Sequence, residues 1–271
     1  MYKLLALFFV ASCLRLLVFD YGSKYIPKRV AEGEAGEDAH FMHPNLLVVA
    51  DGVGGWKKRG VNPADYSHAL IELIDEHYYS DVMAVFKQPK ALIIEAQKQN
   101  TFPGSSTVVV TTLHGRNLHG AYMGDSDYVI FRRNGTELGL IFHSPAQQVR
   151  LNQPYQLGVN LDSPTLAAEY THPVEVGDLV VLGSDGLFDN LTDRELLDIA
   201  ADHYGEPAAA VAEALCDEAY AASRDRTRDS PFTRAYNIAH PRRKKRRGGK
   251  RDDITVVAAY IKEYDLNDLQ D

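Results

Sequence analysis

Short apolar runs that end in aspartates recur along this chain and limit how it can fold. Residues 46–50 are all apolar and lead into Asp51-Gly52, and residues 179–182 lead into Gly183-Ser184-Asp185-Gly186. Runs of this length predict buried strands, and the Asp-Gly pairs that follow them are typical of turns. Taken singly, each Asp-Gly pair indicates a turn more than a site.

Helical patterns fall between these strands in blocks. Asn62, as an N-cap, and Pro63, in the first turn, predict a helix with Tyr66, Leu70, Leu73, Ile74 and His77 on one face. Further helices are predicted at about 89–99, from the Thr192–Glu195 capping box onward, and at 206–222. Further strands are predicted at 107–113, 118–123, 128–132, 137–142 and 254–260, with a hairpin turn at Asn134-Gly135. Helices grouped apart from antiparallel strands predict an α+β layered domain.

Composition narrows the class of protein. Apolar residues make up 45% of the 271 residues and charged residues 24%, which is typical of a folded soluble chain. The two cysteines, Cys13 and Cys216, exclude a disulfide framework. Lys and Arg number 29 against 37 acidic residues, and eight of those cations lie within residues 242–251. The rest of the chain therefore has a net charge of −16, which argues against a nucleic-acid partner.

The two ends of the chain are assigned separately. Residues 4–14 form an unbroken run of small and apolar residues, and even its extension to residue 19 is too short for a membrane span. Residues 1–15 are therefore either a targeting segment or the start of the first strand. A single domain is predicted over residues 16–262, followed by a C-terminal tail at 263–271. We expect the chain to act as a monomer.

Acidic residues stand at the ends of five predicted strands. The positions, none of them predicted to be helical, are Glu37-Asp38, Asp51, Asp125, Asp185 and Asp252-Asp253. Strands of one sheet end side by side, so these carboxylates can meet in a single cleft. Clustered carboxylates repel one another unless a cation neutralises them, and Mg²⁺ and Mn²⁺ prefer oxygen ligands. Two such ions about 3.5–4 Å apart can share a carboxylate and a water molecule, which becomes a nucleophile toward phosphorus.

The chain resembles the metal-dependent protein phosphatases, the PPM or type-2C serine/threonine phosphatases. The matching stretches occur in family order and cover the chain from about residue 16 to 260. They are Gly36-Glu-Asp-Ala-His-Phe41, Val49-Ala-Asp-Gly-Val-Gly-Gly-Trp56, Gly104-Ser-Ser-Thr-Val108, Gly124-Asp-Ser126, Ser184-Asp-Gly-Leu-Phe-Asp-Asn190 and Arg251-Asp-Asp-Ile-Thr-Val256. The residues in these motifs most resemble those of the subgroup that includes mitochondrial and plant organellar members.

This resemblance implies a central sandwich of two antiparallel β-sheets flanked by α-helices, with two Mg²⁺ or Mn²⁺ ions at one end. Asp51 would bridge both ions and Gly52 would bind one through its carbonyl. Asp185 and Asp252 would hold the first ion, and Glu37 and Asp38 would act on the second, partly through water. Asp125 would match a weaker third-metal position shared with Asp185. Asp51 and Asp185 would thus be the catalytic residues, through metal-bound water, whereas Asp253 is the less suitable ligand of its pair because many members have Asn there.

Two positions depart from the family pattern. Gly33 stands where many members have a phosphate-binding Arg, and Val53 stands where many have a His that can protonate the leaving group. Phosphate binding then falls to Lys57, Lys58 or Arg59, or to Lys28 or Arg29, although each is also typical of a solvated surface charge. The leaving-group acid is unassigned.

A basic insertion is predicted at about 223–250. It is polar and charged, and it predicts a mobile loop whose run of cations at 242–251 steers partners more than it builds the active site. That run is also consistent with a nuclear-targeting signal, a patch for an acidic partner or a solvated loop.

The resemblance and the acidic positions predict a phosphatase that hydrolyses phosphoserine and phosphothreonine on proteins by attack of a water bridging two metal ions. The alternative is a catalytically silent regulatory or binding module with the same fold, since the family's Arg and His are missing. A nucleic-acid-associated protein acting through the basic run ranks third. Resemblance favours a mitochondrial location, with the nucleus and the secretory pathway as alternatives.

Overall fold

The computed structural model describes residues 15–28, 36–80 and 88–265. Strands β1 to β13, in chain order, are Arg15–Ile26, Asp38–His43, Leu46–Gly52, Ser105–His114, Asn117–Met123, Asp127–Asn134, Glu137–His143, Gln148–Arg150, Gln153–Pro154, Leu157–Gly158, Ala168–Pro173, Leu179–Gly183 and Ile254–Asp265. Helices α1 to α6 are Pro63–Tyr79, Pro89–Gln99, Asp185–Phe188, Asp193–Asp202, Ala208–Arg224 and Pro231–Ala239. Short 3-10 helices lie at Gly54–Arg59 and Pro164–Leu166.

Two antiparallel sheets pack face to face. The first sheet has the order β1-β13-β12-β6-β7, and the second has the order β11-β5-β4-β3-β2 with β10 paired to β4. Strands β8 and β9 form a separate hairpin beside them. The expected α+β sandwich of two antiparallel sheets is therefore confirmed.

Apolar side chains lie on both faces of each sheet. Between the sheets, Val49 of the second sheet and Val180 of the first share one buried cluster. On the outer sides, Leu215 of α5 packs on the first sheet and Ile74 of α1 on the second. Because both faces are covered, strands such as β3 read as continuous apolar runs instead of alternating ones. Complete burial of each such side chain stabilises the fold by about 1.5–3 kcal/mol relative to exposure.

Two predicted helix starts are confirmed. The side chain of Asn62 accepts a hydrogen bond from the N–H of Ala64, with Pro63 at the start of α1. Thr192 and Glu195 cap α4 reciprocally, each side chain accepting from the other residue's backbone N–H. These local signals start α1 after the 3-10 helix that follows β3, and α4 after the short helix α3 that follows β12.

The prediction of a mobile loop at 223–250 is wrong, since helix α6 covers Pro231–Ala239 within it. The hydroxyl groups of Ser230 and Thr233 are buried and both donate to the carbonyl of Gly248, at 3.1 and 2.6 Å. These contacts tie the start of α6 to the end of the basic run. Polar composition misled the prediction because buried hydroxyl groups are stable when each finds a partner.

The two alternatives for residues 1–15 fall almost wholly outside the described residues, which begin at Arg15 in β1. Strand β1 pairs with β13 along its whole length, from Arg15 opposite Asp265 to Ile26 opposite Ile254. Among the described residues, no helix has the length and apolar character needed to cross a membrane.

Candidate functional site

An open cleft of about 430 Å³ lies at one end of the sandwich, where strands of both sheets start or finish. Strand β2 begins at Asp38, directly opposite Asp51 near the end of β3. In the first sheet, β12 ends at Gly183, just before Asp185, and β13 begins at Ile254, just after Asp252. The lining residues are Lys28, Glu37, Asp51, Gly52, Val53, Gly54, Gly55, Thr107, Asp125, Asn152, Pro154, Asp185, Phe232, Arg246, Lys250, Arg251 and Asp252.

Asp38, which is buried, and Asp51, which is half-buried and lines the cleft, lie opposite each other and form the floor of this end of the sandwich. Asp38 is only 3% exposed, and its Oδ2 accepts a hydrogen bond from the hydroxyl of Thr255 at 2.7 Å. Burial, reinforced by the charge of Asp253, raises the pKa of Asp38 to about 7. Burial and the charges of Asp38 and Asp185 raise the pKa of Asp51 well above its ordinary value. Both carboxyl groups therefore resist ionisation unless a cation is supplied.

Three carboxylates on the opposite wall surround the ammonium group of Lys250. Its Nζ bonds to Asp185, to Asp189 Oδ2 at 2.6 Å and to Asp252 Oδ2 at 3.3 Å. Burial lowers the pKa of Lys250, but the three carboxylates more than reverse this and hold it well above its ordinary value. Burial raises the pKa of Asp185, an effect that Lys250 opposes and Asp189 reinforces. The wall is thus partly neutralised by a cation of the chain itself.

The main chain of Lys250 is fixed by Asn190, which is fully buried. The Asn190 side-chain amide donates to the Lys250 carbonyl at 2.8 Å and accepts from the Lys250 N–H at 2.9 Å. The preceding Gly249 lies so close to the end of α5 that a Cβ would come within 2.2 Å of the Ala222 carbonyl oxygen. Glycine is therefore required there for Lys250 to reach the cleft.

Asp125 lies on the third side of the cleft, after β5. It is buried, and its Oδ2 accepts a hydrogen bond from Gln148 at 2.9 Å. Burial raises the pKa of Asp125 to about 6, with Lys250 lowering it and Asp189 raising it. Asp125 therefore interacts electrostatically with Lys250 and with Asp189, one of the carboxylates that surround it.

Glu37 and Gly52 close the cleft near the start of β2. The Gly52 N–H donates to the Glu37 carbonyl at 3.0 Å, and a Cβ at Gly52 would lie 2.6 Å from the carbonyl oxygen of Pro63. This close approach requires glycine after Asp51. The Glu37 carboxylate pairs with Lys57, the Nζ–Oε1 distance being 2.5 Å.

Asp253 has a different environment from its neighbour Asp252. Its two carboxylate oxygens accept the backbone N–H groups of Lys28 and, at 2.7 Å, of Glu37. Asp253 is 4% exposed and holds the backbone that leads into β2. Its oxygens are committed to the main chain, whereas Asp252 faces the cleft.

The donor set fits a hard divalent cation. Among the described residues, Oδ1 of Asp38 and Oδ1 of Asp185 are buried without a hydrogen-bond partner. Carboxylate oxygens are the ligands that Mg²⁺ and Mn²⁺ prefer, and a dication would relieve the mutual repulsion that raises these pKa values. Within the same residues, no three His, Cys, Asp or Glu side chains are already arranged as a metal site. The Lys250 ammonium group lies among three of the acids instead.

Every acidic residue predicted from the strand ends lies at this end of the sandwich, but two details of the prediction are wrong. The acids come from both sheets, not from one, because Asp38 and Asp51 belong to the second sheet while Asp185 and Asp252 flank strands of the first. Asp185 is also helical, since it begins the four-residue helix α3.

Sequence reasoning missed Asp189 and Lys250. The spacing from Asp185 to Asp189 is one helical turn, which could have indicated a shared face. Lys250 was assigned to a run expected to steer partners more than to build the active site, yet three cations of that run, Arg246, Lys250 and Arg251, line the cleft. The run reaches the cleft through contacts with α5 and α6 that no local pattern encodes.

The structure describes four of the five cations that the sequence suggested for phosphate binding. Lys57 pairs with Glu37, and Lys28 pairs with Asp252 at 3.1 Å. The Arg59 guanidinium stacks over Trp56, 4.9 Å from the ring centroid, and Lys58 is exposed on the same short helix. The positions of Arg29 and Gly33 lie outside the described residues.

Comparison with known proteins places this geometry in context. The family model of protein phosphatase 2C matches residues 168–227. A putative protein phosphatase 2C 24 of Oryza sativa subsp. japonica is 38% identical over 93% of this chain and 79% of its own length. The probable protein phosphatase 2C 80 of Arabidopsis thaliana is 34% identical over 92% of this chain, which spans 60% of that relative's length.

Solved structures share the fold. The photosystem II phosphatase PBCP superposes with a TM-score of 0.82 at 28% identity, covering 90% of this chain and 99% of that one. The catalytic domain of the serine/threonine phosphatase PstP, solved in complex with two manganese ions, superposes with a TM-score of 0.63 at 18% identity over 90% of this chain and 99% of its own. The second likeness concerns the fold alone.

Proposed function

This chain belongs to the protein phosphatase 2C family, and we propose that it is a Mg²⁺- or Mn²⁺-dependent phosphatase that hydrolyses phosphoserine and phosphothreonine on proteins. The observation that carries the proposal is a set of four carboxylates with raised pKa values at one end of the sandwich. Asp51, Asp125 and Asp185 line the open cleft, and Asp38 lies opposite Asp51 on the neighbouring strand. Strong perturbation of several acids in one cleft is typical of a functional site, because a fold gains nothing structural from unneutralised charges. The protein phosphatases among its relatives support the reaction class.

Seven residues would hold the metal ions. Asp51 lies at the centre of the set, since the charges of Asp38, Asp125, Asp185 and Asp252 all raise its pKa. The remaining two are Glu37 and the carbonyl of Gly52, both of which line the cleft. When bound, the ions would supply positive charge that binds the phosphoryl oxygens and acidifies a water molecule for attack on phosphorus. Two ions are proposed, with Asp125 and Asp185 as donors toward a weaker third.

Two arginines on the rim of the cleft would bind the substrate phosphate. Arg246 lies on the rim, with its guanidinium 4.8 Å from the ring centroid of Phe232. Arg251 is exposed on the same rim beside Asp252. Because a guanidinium group can bind a phosphate through two N–H donors, we assign these two arginines the role expected of the family's Arg. No residue is assigned as the leaving-group acid.

A phosphopeptide assay tests the proposal. The chain should release phosphate from phosphoserine and phosphothreonine peptides with Mn²⁺ and lose that activity in excess chelator. Asp51→Asn should be inactive although folded, whereas Asp202→Asn, at the exposed end of α4, serves as the matched control and should keep full activity. A folded wild-type chain that binds Mn²⁺ and releases no phosphate would support the catalytically silent alternative instead.

The compartment is proposed from likeness alone. We propose a mitochondrial location, since curated relatives include protein phosphatase PTC7 homologues of Danio rerio and Drosophila at 30–32% identity. A fluorescent protein fused to residues 1–30, imaged beside a fusion to the full chain, tests this. Signal in the nucleus or the secretory pathway would contradict it.

A further inference from the structure

We propose that Lys250 is a built-in cation of this cleft, whose ammonium group competes with a divalent metal for Asp185 and Asp252 and holds the metal-free site together. The inference rests on the proposed metal-dependent function and adds to it how the chain itself controls metal affinity. Lys250 belongs to the basic run at 242–251, whose other seven cations are exposed.

The ammonium group of Lys250 contacts three carboxylates. Nζ of Lys250 bonds to Asp185 Oδ2, lies 2.6 Å from Asp189 Oδ2 and lies 3.3 Å from Asp252 Oδ2. The Lys250 side chain is only 13% exposed, so solvent screens these interactions weakly. Two of the three carboxylates are ligands proposed for a metal ion. An ammonium group and a dication repel each other, so both cannot be held closely by the same carboxylates without cost.

Lys250 is held in place both through its main chain and beside its side chain. The Lys250 main chain exchanges two hydrogen bonds with buried Asn190, and its Nζ lies 5.3 Å from the ring centroid of Phe232, at the start of α6. Gly249 donates its N–H to the Asp225 carbonyl at 2.9 Å. A lysine anchored on both sides in this way is pre-positioned in the cleft and loses little further entropy when it binds the acids.

Lys250 should act differently in the metal-free and the metal-loaded protein. Without metal, Lys250 offsets the repulsion among Asp185, Asp189 and Asp252, which lets the cleft keep its shape. A metal ion on this wall must displace the ammonium group or bind beside it, and either event weakens its affinity. The ion pairs found for Lys250 among the described residues are with Asp185, Asp189 and Asp252, whereas Oδ1 of Asp38 has no hydrogen-bond partner there. The floor formed by Asp38 and Asp51 and the wall around Lys250 should therefore bind metal with different affinities.

The test uses the full chain with Lys250→Met, which keeps the length of the side chain and removes its charge. Lys245→Met, at an exposed position in the same basic run, is the matched control. Calorimetric titration with Mn²⁺ should show the weaker binding event of the wild type tightened at least about tenfold in Lys250→Met, since a buried competing charge is gone. Thermal unfolding in chelator should show Lys250→Met melting several degrees below the wild type and gaining more from added Mn²⁺.

Two results would contradict the proposal. Unchanged Mn²⁺ affinity together with unchanged melting in chelator would show that the ammonium contacts carry no energy. Weaker Mn²⁺ binding in Lys250→Met would show that Lys250 helps to build the metal site instead of competing for it. Should Lys250→Met fail to fold, Lys250→Gln, which keeps hydrogen-bond donors for the carboxylates, gives the same titration. Failure of the wild type to bind Mn²⁺ would overturn the proposed function, and the melting comparison in chelator would still decide the charge-balancing role of Lys250.

Discussion

The backbone N–H of Glu37 donates a hydrogen bond to Oδ2 of Asp253 at 2.7 Å, joining residues 216 positions apart in the chain. The other oxygen of Asp253 accepts the N–H of Lys28. One buried carboxylate thus fixes the backbone just after β1 and the approach to β2, beside the acids proposed to bind metal. Because Glu37 and Asp38 are consecutive, the position of both depends on this contact.

Removing that acceptor should destabilise the fold. Asp253→Ala leaves the two N–H groups without their partner, each at a cost of about 1–3 kcal/mol, offset in part by relief of the repulsion with Asp38. Asp253→Asn keeps one acceptor and should lose less. Urea unfolding in chelator measures both, and Mn²⁺ titration of Asp253→Asn should match the wild type. An Asp253→Ala chain as stable as the wild type would contradict this role.

The proposed metal ligands should respond to loss of charge alone. Asn keeps the volume of Asp but removes the negative charge that offsets a dication, so Asp51→Asn and Asp185→Asn should lower turnover by at least about 10²-fold. Calorimetry should show lost Mn²⁺ binding in both variants, with Asp202→Asn unchanged. Without metal, Asp51→Asn should melt no lower than the wild type, because one of the mutually repelling acids is gone. Full Mn²⁺ affinity in Asp51→Asn would exclude the two-metal assignment.

Stability of the metal-free chain should fall as pH rises. The pKa of Asp38 is raised to about 7 in the folded state, so between about pH 4 and pH 7 the folded chain binds a proton that the unfolded chain has released. The stability from this group is fully present below the unfolded pKa and is lost as pH rises through about 7. Thermal unfolding in chelator at pH 5 and pH 8 should show a smaller difference for Asp38→Asn than for the wild type. An equal difference in the two proteins would rule out Asp38 as the source.

The exposed part of the basic run should affect protein substrates only. Residues 242–245 are exposed and precede the three cleft-lining cations of the run, Arg246, Lys250 and Arg251. Replacing 242–245 with Gly and Ser should leave hydrolysis of a small aryl phosphate unchanged. KM for an acidic phosphoprotein should rise, and its dependence on salt should weaken, because exposed charges act over about a Debye length. A fall in turnover of the small substrate by a folded variant would place these residues in the catalytic site.

Local patterns predicted most strands of the two sheets and the acids that follow them, but not strands β8–β11 or helices α3 and α6. The run at 46–50 predicted β3, the Thr192–Glu195 pair predicted the start of α4, and Asp51 and Asp185 were identified from their positions beside glycine after apolar runs. Such signals lie within a few residues of one another, where backbone geometry and side-chain periodicity decide the structure. The prediction of a metal site followed from the same residues, since clustered carboxylates repel one another unless a cation neutralises them.

Only the tertiary structure decided which cation the chain itself brings to those acids. Lys250 reaches Asp185 across 65 positions of sequence, through contacts of Gly249 with α5 and of its own main chain with Asn190. In the sequence it is one of eight cations in a polar segment, and nothing local distinguishes it from exposed Lys245. The difference arises from packing: the energy of a charge depends on burial and on partners that distant parts of the chain supply. For the same reason, the sequence could not assign the acids to two facing sheets.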